Sequence, residues 1–224
     1  MPVPKGLDYA MWLGPAPAAA YHDERCLYRF RFNYDYSGGQ VTNYGAHSLD
    51  IAQWGLGADA TGPVSVQSVY AEYPPEGSLF NTAMYSHFRC TYASGVELDC
   101  FTAEPSVRCV FEGTEGVVRV DAKGDKFVTA PAKIRDVKLS ADDVRLGESE
   151  DHQRDFLDAV KSRKDPSAPV EVGHRTATVC HLGNIALKLG GKLAWDPDSQ
   201  RFTGRRSDEA NALVSRPARG PWQL

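Results

Sequence analysis

The sequence predicts an α+β domain: an open, mostly antiparallel β-sheet with helices packed on one face, formed by residues 1–224 as a single unit. Three observations carry this. From about 64 to 139 the apolar residues alternate with a period of two, the strand period. The connections inside that block, such as Ala93-Ser94-Gly95 and Gly113–Gly116, are too short to join anything but antiparallel neighbours. Segments with helical period stand before and after the block, and none forms a βαβ unit with it.

Residues 1–20 are rich in Pro and Ala and read as a loop that packs through Trp12 and Leu13. Asp8 is placed to cap a short helical turn through Trp12, which Gly14-Pro15 would stop. LYRFRFNY at 27–34 alternates and reads as a strand leading into the next element. That element is a helix of about five turns, from the S-x-x-Q capping box of Ser37 and Gln40 to the C-terminal glycine Gly57. The meander then runs through Val64–Tyr70, His87–Tyr92, Val96–Phe101, Val107–Glu112 and Val117–Val120. One face of it covers helices. The other mixes Tyr, Arg, Glu and Thr and suits solvent or a partner subunit.

Two helices follow. The first, about 150–163, begins at Ser149 with acidic residues early and basic residues late, as the helix dipole favours, and its stripe Phe156, Leu157 and Val160 reads as buried. The second spans about 173–189 and stops at Gly190-Gly191. Leu193 to Phe202 reads as a loop or short edge strand, Ser207 caps a last helix to Val214, and SRPARGPWQL is an extended tail anchored by Trp222.

Composition narrows the function. A formal net charge of −4 with no basic stripe disfavours nucleic acid. No apolar run reaches membrane-spanning length, and the N-terminus has no signal-peptide core. The five cysteines are odd in number and form no C-x-x-C pair; Cys90, Cys100 and Cys109 sit on expected strands as buried free thiols. A reducing, cytoplasmic setting is the simpler expectation.

On the long helix Asn43, His47, Asp50 and Trp54 recur at i, i+4, i+7 and i+11 and share one face opposite an apolar stripe. An amide, an imidazole, a carboxylate and an indole suit a hydroxyl-rich ligand, with a flat wall for a sugar ring. They would equally serve as hydrogen-bonding groups of the core. His47 and Asp50, with His152, His174 or His181, are also candidate ligands for a divalent metal, although tetrahedral sites need three or four converging ligands. His174 and His181, seven apart, share a face of the second late helix. Gly55-Leu56-Gly57-Ala58-Asp59-Ala60 matches G-x-G-x-x-A but follows a helix, so it reads as a helix C-cap and not as a dinucleotide fingerprint.

The pattern of Gly38, Gly39, Asn43, Gly45, His47 and Asp50 resembles the substrate-domain signature of the glucose–fructose oxidoreductase, inositol dehydrogenase and MocA-like oxidoreductases (Gfo/Idh/MocA). LDYAMWLGPAP at 7–17, DIAQWGLG at 50–57, FEGTEGVVRV at 111–120, the block at 170–190 and the SRPARGPWQL ending resemble one bacterial branch of that family. The resemblance implies the C-terminal domain of an NAD(P)-dependent enzyme acting on sugars or cyclitols, with its sheet forming dimers through the outer face. It implies His47 as the acid/base and Asp50 beside it, with Asn43, Trp54, Tyr36 and His181 as substrate contacts. Asn43 stands where many members carry Asp, which alters the charge beside the histidine. The family's Rossmann domain and its E-K-P lysine have no counterpart in these residues. The expectation is therefore a substrate-binding and dimerisation domain that neither binds NAD(P) nor transfers hydride alone, or that pairs with a separate Rossmann subunit. The competing expectation is a cofactor-independent carbohydrate hydrolase or lyase using His47 with Asp50 or a metal.

Overall fold

The computed structural model describes residues 1–102, 107–121, 126–145 and 149–223. Parts of the expected meander (103–106 and 122–125) and the last residue of the expected tail lie outside them. The fold is α+β. Its centre is a five-stranded antiparallel sheet built from β1 (Ser65–Glu72), β2 (Tyr85–Thr91), β3 (Glu97–Phe101), β7 (Lys192–Asp196) and β8 (Arg201–Thr203), in the order β3-β2-β1-β7-β8. Val66 pairs with Cys90 on one side and with Leu193 on the other, and Phe88 pairs with Cys100. Alternation along these strands puts Val66, Phe88, Cys90, Leu193 and Trp195 on the inner face, all buried.

Two helices cover that face. α6 (Val170–Leu189) buries Val179, Leu182 and Ala186 against it. Gly183 lets α6 approach closely: a Cβ there would fall 2.5 Å from the Phe88 ring. α4 (Tyr44–Gly55) lies beside α6 and contributes Leu49 to the same core. A second, three-stranded sheet, β4 (Arg108–Gly113), β5 (Gly116–Asp121) and β6 (Phe127–Ala130), meets the end of α4, where a Cβ on Gly55 would lie 2.3 Å from Phe111. The expected single meander thus splits into two sheets.

Several local expectations are corrected. Residues 27–34 form a 3-10 turn over Tyr28–Phe32, where the three-residue repeat stacks Arg31 over the Tyr28 ring at 3.5 Å. Among the described residues no neighbouring strand pairs with it. The long helix is broken: α3 (Gly39–Thr42) ends at Asn43, whose φ of −88° and ψ of −86° leave the helical region, and α4 begins afresh at Tyr44. The capping box does not form. Gly39 takes φ +70° with Thr82 2.7 Å from where a Cβ would be, so only glycine fits there, and the Thr42 hydroxyl accepts from the Gly38 amide instead. The stretch 193–202 is not a loop: β7 sits inside the sheet between β1 and β8, and only its end, Arg201 and Phe202 in β8, is the expected short edge strand. The Gly57 reading holds: its φ is +62° and the Ala58 amide reaches back to the Gln53 carbonyl at 2.9 Å, closing the helix.

α1 (Tyr9–Leu13) is capped by Asp8 as expected, and α2 (Asp23–Cys26) follows it. α5 (His152–Ser162) starts at the Asp151 cap, not at Ser149. Its stripe is not buried: Phe156 is 61% exposed and Leu157 46%. α7 (Ser207–Asn211) is preceded by Arg206 in the left-handed region, so Ser207 is its first residue and not its cap. The C-terminal segment folds back on the N-terminal loop, where Arg219 donates to the carbonyls of Ala10, Gly14 and Ala16.

Candidate functional site

A groove of about 450 Å³ runs between α4 and α6, within the size range of small-molecule sites. One wall carries Ala46, His47 and Asp50, with Thr42 at the end of α3. The other carries Gly173, Thr176, Ala177, Cys180 and His181, five positions of α6 at i, i+3, i+4, i+7 and i+8 that share one helix face. His47, Gly173, Ala177 and His181 are exposed, so the groove is open along one side. Its floor is tighter. Thr176 is buried and its hydroxyl donates to Asp50 Oδ1 at 2.8 Å, joining the two walls.

This arrangement offers an imidazole on each wall and an ionisable carboxylate already held by one donor. Asp50 keeps Oδ2 free of protein donors among the described residues. His181 retains contact with solvent, but partial desolvation of its ring and then the nearby Arg216 guanidinium lower its pKa from the ordinary 6.5. It is therefore a neutral hydrogen-bonding group near pH 7. Cys180 contributes bulk and no nucleophile: burial pushes its thiol up to about 12.

Of the residues the sequence points to, His47, Asp50 and His181 meet at the groove. Asn43 does not line it, because the helix break turns Asn43 out of register with His47; its side-chain amide approaches Gln40 Oε1 at 3.5 Å. Trp54 sits two turns beyond His47, 40% exposed, outside the groove. Tyr36 belongs to a separate aromatic cluster, 5.0 Å from Trp12, with its hydroxyl accepting from Arg25. His174 bonds Gln200 at 2.7 Å. Among the described residues no group of three or more His, Cys, Asp or Glu side chains is arranged to hold a metal. Sequence reasoning missed Thr176 and the small residues beside His181. Their signal is the stripe Gly173, Ala177, Cys180, His181, small or polar where an α-helix face would otherwise be apolar.

The sequence pattern described as the oxidoreductase family, C-terminal alpha/beta domain, of the Gfo/Idh/MocA kind matches residues 1–224. The chain belongs to this family. No curated protein sequence matches it. Among solved structures it is similar to an aldose–aldose oxidoreductase from Caulobacter crescentus complexed with glycerol, at 16% identity and a TM-score of 0.52, over 74% of this chain and 50% of that one. It is also similar to the WlbA dehydrogenase from Bordetella pertussis in complex with NADH and UDP-GlcNAcA, at 12% identity and a TM-score of 0.53, over 76% of this chain and 49% of that one. At such identities the likeness is one of fold. The 224 residues span about half the length of each of these chains.

Proposed function

We propose that this domain holds a sugar or cyclitol in the groove between α4 and α6, with His47 placed to exchange the proton of the reacting hydroxyl and Asp50 to accept from a neighbouring one. The observation that supports it is the joining of His47, Asp50 and His181 around one open groove, fixed from below by the Thr176–Asp50 bond. Hydroxyl-bearing ligands need donors and acceptors in fixed positions, and a pre-positioned acid/base lowers the cost of moving the hydroxyl proton. The groove is open where a second surface would cover the ligand. In this reading a dinucleotide-binding domain or subunit supplies that surface and the NAD(P), and these 224 residues alone neither retain NAD(P) nor transfer hydride.

The outer face of the five-stranded sheet supports a further part of the reading, homodimerisation. Tyr85, Arg89, Glu97 and Phe101 stand there, with Asp99 receiving both Arg89 and, at 2.6 Å, His87. The chain exposes 14952 Å² for a mass of 24.6 kDa, against roughly 10,000 Å² for a monomeric protein of that mass. The excess is large enough for more than one interface. A reducing cytoplasmic setting suits its five free thiols.

Calorimetric titration of the purified chain with neutral aldoses and cyclitols, with and without NAD⁺ or NADP⁺, tests the reading. Saturable sugar binding that His47→Ala weakens, with no heat from the nucleotides, is the expected result. Micromolar binding of either nucleotide, or turnover without nicotinamide, overturns the assignment of the cofactor to a separate surface.

A further inference from the structure

Asp50 is the one carboxylate among the described residues that line the groove, and no Lys or Arg stands there with it. It lies at the floor, where the Thr176 hydroxyl donates to its Oδ1 at 2.8 Å. A hydroxyl has a single proton to give. Thr176 gives it to Asp50, so its oxygen meets any further partner as an acceptor. Asp50 Oδ2 takes no protein donor among the described residues, and an ionised carboxylate only accepts. The pair therefore presents acceptors and no donor. Its small neighbours in the lining, Ala46 on α4 with Gly173 and Ala177 on α6, leave it open to a ligand.

One cation acts on the groove from outside. Arg216 follows partial desolvation as the second influence that lowers the pKa of His181. It does not line the groove: its guanidinium donates to the Tyr34 carbonyl and stands 4.0 Å from Asp35. Its field is felt at His181 and adds no donor at the floor. The negative charge of Asp50 thus has no cationic partner within the lining. A neutral hydroxyl brings one donor to this pair of acceptors. An ammonium brings three, together with the opposite charge.

We infer that the sugar or cyclitol of this groove carries an amino group, whose ammonium Asp50 Oδ2 receives with the Thr176 oxygen beside it. This rests on the groove being a carbohydrate site. An acidic sugar would set its charge against that of Asp50. The groove is open along one side, so solvent screens the ion pair and holds its gain to the scale of one charge-assisted hydrogen bond.

The test is calorimetric titration of the full chain at pH 7 and low ionic strength with D-glucose, D-glucosamine and N-acetyl-D-glucosamine, whose acetyl group removes the charge. It is repeated for Asp50→Asn, whose amide oxygen still accepts from Thr176. A formal net charge of −4 draws any cation, so Asp158→Asn, which removes an equal charge from the exposed surface of α5, is the control. Glucosamine is expected to bind about tenfold more tightly than either uncharged sugar. Asp50→Asn is expected to bring that ratio close to one and Asp158→Asn to leave it unchanged. Equal affinity of the native chain for all three sugars overturns the inference and leaves the carbohydrate groove standing. So does an ammonium preference that survives Asp50→Asn, or one that Asp158→Asn abolishes as well. The native chain's comparison decides by itself if Asp50→Asn does not fold. Absence of binding by all three sugars overturns the carbohydrate groove and this inference with it.

Discussion

The Thr176 hydroxyl reaches Asp50 across 126 residues of sequence and joins the two helices that form the groove. Thr176→Val leaves a half-buried carboxylate short of a donor, at a cost of about 1–3 kcal/mol. Urea unfolding followed by circular dichroism should show that loss, while Ala177→Ser, at an exposed position of the same face, should leave the midpoint nearly unmoved. His181 supplies a pH dependence with a defined sign. Its folded pKa lies below 6.5, the unfolded value, so the folded state binds the proton less readily. Stability is full above that value and declines as pH falls through it toward the depressed folded pKa. His181→Gln should remove this part of the decline, read as a flatter stability profile on the acid side of pH 6.5. His47 and Asp50 were legible in the sequence because they stand three apart on one helix. Their partner Thr176 was not, because helix periodicity says nothing of which distant helix lies alongside.

At the scale of elements, α6 is held by close packing and α5 is not. A methyl group on Gly183 would meet the fully buried Phe88 ring, which has nowhere to move. Gly183→Ala should therefore cost about 1–3 kcal/mol despite its better helix propensity, measurable by chemical denaturation. α5 keeps its Asp151 cap, which accepts from the Gln153 and Arg154 amides, yet exposes Phe156, Leu157 and Val160. Its amides should exchange with deuterium orders of magnitude faster than those of central α6, because tertiary packing, more than propensity, stabilises a helix this short. The sequence shows both helices, their polarity and their C-terminal stops, since caps and periodicity are local. The break at Asn43 and the 3-10 turn at Tyr28–Phe32 were hidden, because each answers to a non-local or side-chain contact. Thr82 leaves no room for a Cβ at Gly39, where α3 begins, and Arg31 over Tyr28 stabilises a turn where alternation alone reads as a strand.

At the scale of the molecule, the antiparallel sheet and the covering helices followed from alternation, turn length and element order. Sheet membership did not: nothing in the spacing separates β4, β5 and β6 from the strands before them, or draws β7 into the centre. Those choices rest on the inward side chains Leu193, Trp195 and Phe202 completing the core over α6 and α7. The exposed outer face should bring two copies together in solution. Light scattering after gel filtration should give about twice 24.6 kDa, and Phe101→Lys, at a 60% exposed edge position, should shift the mass toward the monomer. The central claim concerns the groove, and the six histidines report on it directly. The imidazole Hε1 signals should be followed by NMR while a sugar is titrated into the chain. The account predicts that the His47 and His181 signals move together and saturate at one ligand per chain, while those of His22, His87, His152 and His174 stay in place. Saturable movement of the other four with His47 and His181 unmoved would contradict it.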